Sequence, residues 1–352
     1  MPDALSVAGA VPHASDGRAG LTRLRRRPEF WLLLVILIVG ALFSALAPGF
    51  LSLPNVIDLL ETYSVQAVMA MGLFVVLVAG GIDISFAATA SVSQYCAALL
   101  ASQMGLPAPL VILAGLLIGT ALGCLNAALI FYLRITSIIA TIAMMSVSFS
   151  LLMYFSGGRS IYTLPDWWTT RITFFQTETA SGDLARITLP IVLMIVVALV
   201  TWAMMTRLSV GRQLYAMGGN AEAARRIGVP IARLHFVAYG YLGFTAALAG
   251  MLQAHRVGES VPNAFANTEL AVLSAAVLGG ASLTGGIGTV PGVLLGIVLL
   301  AMLQNGLNLL GVSSYFFQIV IGLTILVSTS VTVISSRRGR RLRGIGEAST
   351  HG

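Results

Sequence analysis

GRQLYAMGGNAEAARRIGVP, residues Gly211 to Pro230, is a polar, arginine-bearing stretch between the apolar runs 188–206 and 236–254. Its grammar predicts a short surface helix. Gly218 and Gly219 free the backbone, Asn220 is placed to cap exposed N–H groups, and Glu222 and Ala223 lie in the first turn. Arg225 and Arg226 sit near the opposite pole, where cations suit the helix dipole, and Gly228 with Pro230 ends the helix. A solvated loop helix and a docking helix for a soluble partner both fit this local pattern. The surrounding chain decides between them.

The chain has 352 residues, 57% hydrophobic and 9% charged, more apolar surface than a soluble domain of this length can hide. It reads as an integral membrane protein: an all-α polytopic bundle of about ten spans. The candidate spans are 30–47, 64–80, 84–103, 109–131, 135–155, 188–206, 236–254, 268–283, 289–307 and 313–334. They make one membrane domain, 30–335, flanked by a basic tail at 1–29 and another at 336–352. At the start, Arg23 to Arg27, the apolar run and Ala45-Leu46-Ala47 resemble a cleaved signal, but Pro48 disfavours cleavage. The run reads as a retained first span.

A net charge of +7 and a pI near 9.9 would suit a nucleic-acid binder, but the position of the charge argues otherwise. Arginines cluster at Arg18 to Arg27 and at Arg337 to Arg343, flanking the membrane blocks, where they hold segments in the cytoplasm and attract anionic lipid. With both termini inside, ten crossings leave only Arg159, Arg171, Arg186 and Arg256 outside. The loop 207–235 is then cytoplasmic and the segment 156–187 external. In that external segment Trp167, Trp168, Phe174 and Phe175 read as interface anchors, with a lid or docking surface as the alternative.

No residue is lysine, so the phosphate-binding loop G-x-x-x-x-G-K-[ST] is excluded and any ATP-driven step needs another subunit. Cys96 and Cys124 fall in apolar runs and read as packing residues. His13, His235, His255 and His351 are scattered without metal-ligand spacing; no metal and no cofactor is expected.

Two glycine-rich breaks interrupt the membrane blocks, Gly80-Gly81-Ile82-Asp83-Ile84-Ser85 and Gly279 to Gly288. Non-helical backbone at such depth must be satisfied by protein or a wet cavity, so both are candidate linings of a path. Asp83 is the sharpest residue there, either a helix cap or a transport group. Gln66, Gln94, Asn126, Gln253, Gln304, Asn305 and Asn308 are uncharged polar groups suited to a neutral solute or to bonding across helices.

Four stretches in order, Gly81-Ile82-Asp83-Ile84-Ser85, Gly211 to Val229, Val277 to Gly286 and Asn305 to Ser314, resemble the ribose-type sugar permease subunits of ATP-binding cassette importers. The likeness runs from about residue 50 to 330. It implies a second permease, identical or homologous, two cytoplasmic ATPase subunits or one duplicated ATPase, an external solute-binding protein, and a home in a bacterial-type inner membrane. It also implies that Asn220 to Ile227 is a coupling helix seated in the ATPase. The chain departs from the family at Phe86-Ala87, at Glu269-Leu270-Ala271, where the family has Glu-Leu-Asp, and at Ala281 to Thr284. These changes bear on the solute rather than on architecture. Asp83, Ser85, Gln94, Ser282 and Thr284 are the path candidates.

The chain is therefore expected to carry a sugar or similar neutral solute by alternating access and to catalyse no covalent chemistry. A polyol, a furanosyl signal molecule or a branched-chain amino acid are alternative cargoes. Ion-coupled transport by the chain alone, with Asp83 as coupling carboxylate, is the alternative from another class.

Overall fold

The computed structural model describes residues 28–178, 184–313, 316–320, 322–323 and 326. The basic tails, apart from 28–29, and most of the expected span 313–334 lie outside the described residues. The helices are α1 (Pro28–Leu46), α2 (Leu53–Val78), α3 (Phe86–Ser102), α4 (Ala108–Leu133) and α5 (Ser137–Ser156). After them come α6 (Asp166–Thr169), strands β1 (Thr173–Glu178) and β2 (Leu184–Thr188), and α7 (Leu189–Thr206). The second half holds α8 (Ser209–Gly219), α9 (Ala221–Arg226), α10 (Ile231–Val257), α11 (Thr268–Leu278) and α12 (Val290–Leu309). Among the described residues, 7 helices are long and apolar enough to cross a membrane: α1, α2, α4, α5, α7, α10 and α12. The protein is a mostly helical, multi-pass membrane protein. Helix α3 has 17 residues and α11 only 11, the latter about 16 Å long, half of a bilayer core.

Helix α2 is the hub, packed by α7, α10, α11 and α12, and from Val65 to Val78 all but Gln66 is buried. An all-round apolar helix can be satisfied only in such a place. Its start had been expected near residue 64, yet the helix begins at Leu53 behind the Ser52 cap. The first turns carry Asn55, Asp58 and Glu61, which hide the helix from hydropathy, and tertiary partners accommodate two of them. Asn55 and Asn305 of α12 exchange amide hydrogen bonds at 3.0 and 3.1 Å, and Glu61 accepts from Arg171 at 2.6 and 2.7 Å.

Helices α4 and α10 approach closely because Gly119 and Gly123 face Gly243 and the Tyr239 carbonyl. A Cβ on Gly123 would lie 2.1 Å from that oxygen. This small-residue seam replaces the hydrophobic driving force that lipid removes. On the outside of the bundle, α1 leaves Leu37, Ile38 and Leu42 exposed, and α5 leaves Ile139, Ile142 and Leu151 exposed, as lipid-facing helices must.

The all-α polytopic expectation fits the bundle, to which the chain adds one short hairpin. Strands β1 and β2 form an antiparallel hairpin in the segment 156–187, with Gln176 opposite Arg186. Trp168 is likewise no simple interface anchor, since it is buried and its indole N–H donates to the Met251 carbonyl of α10 at 3.2 Å. Phe174 and Phe175 remain exposed on the hairpin.

Candidate functional site

The polar stretch folds as the two helices α8 and α9. Asn220 sits between them in extended backbone, and its side-chain oxygen accepts from the Ala223 N–H at 2.9 Å. Such a cap contributes about 1 kcal/mol, more than the exposed Arg226–Glu222 pair at 3.3 Å, worth about 0.3–0.5 kcal/mol. At the other end the Gly228 N–H bonds the Arg225 carbonyl and the Val229 N–H bonds that of Ala224, with Gly228 at φ 85°. This left-handed closure is why glycine stands there. Only Ala224 of α9 is buried; Glu222, Ala223, Arg225, Arg226 and Ile227 are exposed, Ile227 at 78%.

Gly218 and Gly219 do not loosen the backbone, as had been expected; both are helical residues at the end of α8. Gly218 is there for contact. A Cβ on it would lie 1.8 Å from the Val78 carbonyl oxygen and 2.6 Å from the Gly286 nitrogen. Nothing lies within 4 Å of a Cβ on Gly219. Around Gly218 three backbones meet: the end of α2, the end of α8 and the 279–288 break. Gly286 donates its N–H to the Val78 carbonyl at 2.9 Å, and the Tyr215 hydroxyl of α8 donates to the Gly288 carbonyl at 2.8 Å. Burial pushes the Tyr215 phenol up, so it stays a proton donor through the neutral range.

The first break continues from this junction. Its extended backbone is satisfied by α5 hydroxyls: the Ile82 N–H donates to Ser137 Oγ at 3.1 Å and the Ile84 N–H to Thr141 Oγ1 at 3.3 Å. Asp83 is 2% exposed. Its Oδ1 accepts from the Ser85 N–H and hydroxyl, both at 2.7 Å, and its Oδ2 accepts from Asn126 Nδ2 of α4 at 3.0 Å. Asn126 also donates to Ser85 Oγ at 2.7 Å. The carboxylate thus fixes Ser85, the N-cap residue of α3, and ties it to α4.

The five path candidates do not share one chamber. Asp83 and Ser85 belong to the cap just described. Gln94 is buried on α3 and donates to the Val261 carbonyl at 2.7 Å. Ser282 and Thr284 share a hydroxyl bond of 2.8 Å in the second break, beside the glycine junction. A cavity of about 300 Å³ opens elsewhere, where α3, α5 and the start of α11 meet, with Ser91, Ser146, Asn267 and Glu269 among its lining. Sequence reasoning passed over its serines because single hydroxyls in apolar helices carry no spacing signal.

The family described as "Branched-chain amino acid transport system / permease component" matches residues 55–329. The ribose import permease of Escherichia coli strain K12 is 34% identical over 301 residues, covering 85% of this chain and 92% of that protein. The ribose import permease of Bacillus subtilis strain 168 is 33% identical, covering 86% and 90%. The galactose/methyl galactoside import permease of Haemophilus influenzae is 32% identical, covering 84% and 91%. No solved structure gives a significant match.

Proposed function

The chain belongs to this permease-component family of binding-cassette importers, and from that premise we propose that it carries a sugar or similar neutral polar solute inward across a bacterial-type inner membrane. It is a transport subunit, not an enzyme, and ATP hydrolysis falls to a partner chain. In this reading ten spans leave both termini cytoplasmic, supported by the skew of arginine toward one side. Two ATPase subunits or one duplicated ATPase, a second permease and an external binding protein complete the assembly. The ribose and galactose named for its relatives support the cargo class.

The contact of Gly218 with Val78 and Gly286 carries the reading. A capped helix, exposed on all but one side chain, stands beside a segment packed backbone to backbone on both membrane breaks. Force applied by an ATPase to Glu222, Ala223, Arg225 and Arg226 reaches the breaks through rigid main chain, and long deformable side chains take little part. Gly218 transmits that force, Asn220 and Gly228 define the ends of the helix that receives it, and Asp83 with Ser85 holds the entry to α3. Gly219 is an open position at the end of α8.

An Ala223→Cys substitution, paired with cysteines placed in the ATPase groove, tests this directly. Disulfide cross-linking between the two chains is the expected result. Cross-linking confined to control positions on the opposite face would refute the docking role.

A further inference from the structure

The cavity at α3, α5 and α11 combines features that the coupling machinery does not use. Ser91 is 1% exposed, lines the cavity, and its hydroxyl has no hydrogen-bond partner. A buried hydroxyl left unbonded costs about 1–3 kcal/mol, so a ligand that bonds it recovers that energy. Asn267 holds a left-handed conformation at φ 65° ahead of α11, yet its side chain makes no cap bond, which leaves the amide free for another partner. Glu269 follows in the first turn of the helix, half-buried at the cavity.

The lining also specifies the chemistry. Ser146 adds a hydroxyl, Phe149 and Phe265 add aromatic surface, and no cationic side chain is among the lining residues. Sugars present hydroxyls around an apolar C–H face, so they match hydroxyls, an amide and a carboxylate set beside aromatic rings. An amino acid matches less well. Its carboxylate would seek the positive start of α11, but Glu269 already occupies that end with negative charge. The volume of about 300 Å³ lies at the lower end of the range of roughly 300–1,000 Å³ for small-molecule sites.

We infer that this cavity is a transit site for a neutral monosaccharide, held by Ser91, Asn267 and Glu269 against Phe149 and Phe265. The inference rests on the importer reading above. It places the solute on side chains other than those of the Ser282–Thr284 break and the Asp83–Ser85 cluster.

The test uses the assembled complex of permease, ATPase and binding protein in proteoliposomes. Ser146→Cys, at an exposed position, is introduced with Cys96 and Cys124 replaced by alanine, and the rate of maleimide labelling is followed. Ribose or galactose slows labelling and leucine does not. Glu269→Gln raises the sugar concentration needed for half-protection about tenfold, the loss of one charge-assisted hydrogen bond. Separately, Ser150→Trp, also at an exposed lining position, fills the cavity and stops uptake while ATP hydrolysis continues. Protection by leucine alone, no protection by either sugar, or unchanged uptake in Ser150→Trp overturns the inference. If ATP-driven uptake by the wild-type complex persists in those cases, the importer reading stands. Loss of ATP dependence in the wild-type complex refutes that reading instead.

Discussion

At the scale of single residues, Gly218 and Gly219 are neighbours with opposite requirements. Gly218→Ala places a Cβ 1.8 Å from the Val78 carbonyl oxygen, so α8 must move off the breaks, at a cost of about 1–3 kcal/mol. Gly219→Ala meets open space in a helix and gains up to about 1 kcal/mol of helix propensity. Thermal unfolding of the two variants in detergent checks this; equal melting temperatures would contradict the contact. Asp83→Asn gives the cap an amide N–H facing the Asn126 N–H, with loss of about 1–3 kcal/mol, whereas Cys96→Ala is mild. Transport reduced in Asp83→Asn well below Cys96→Ala is the expected outcome, and equal full activity would return Asp83 to an incidental role. The sequence made Asp83 visible because a lone carboxylate beside hydrocarbon is conspicuous. It could not reveal that Gly218 is a contact glycine, since a close approach depends on Val78 and Gly286, far away in the chain.

At the scale of elements, spans such as α4, α5 and α7 were legible because apolar runs of the right length leave little choice. The first turns of α2 were hidden by Asn55, Asp58 and Glu61: distant partners hold Asn55 and Glu61, and Asp58 stays exposed. The hairpin was hidden too, because Phe174 and Phe175 beside polar residues suit a loop as well as a strand. Glu61, 7% exposed at its side chain, is held by Arg171, which is 54% exposed. Arg171→Met therefore costs less than the roughly 3–5 kcal/mol of a fully buried pair, and Glu61→Gln in the same chain restores part of it. Proteolysis of the segment 156–187 is the readout: faster cleavage in the single variant and recovery in the double are expected. On the opposite side of the bundle, Glu222→Arg replaces the acidic first turn of α9 with a cation. The expected effect is a chain that inserts normally but pulls down less ATPase; wild-type recovery would separate α9 from docking.

At the scale of the molecule, α8 is joined to two interruptions that are distant in sequence but adjacent in space. A displacement of α8 would therefore press on the Gly80 to Ser85 and Gly279 to Gly288 segments. The cavity between α3, α5 and α11 lies next to the first break, since its lining residues Ala87 and Ala88 follow Ser85, which Asp83 holds at the start of α3. In the proposed importer, force from an ATPase on α9 would reach that cavity through the first break. The most direct measurement is uptake of labelled ribose and galactose into proteoliposomes holding this permease, with and without its ATPase, its binding protein and ATP. Uptake that requires all three is the predicted result, and ion-gradient-driven uptake by the permease alone would contradict it.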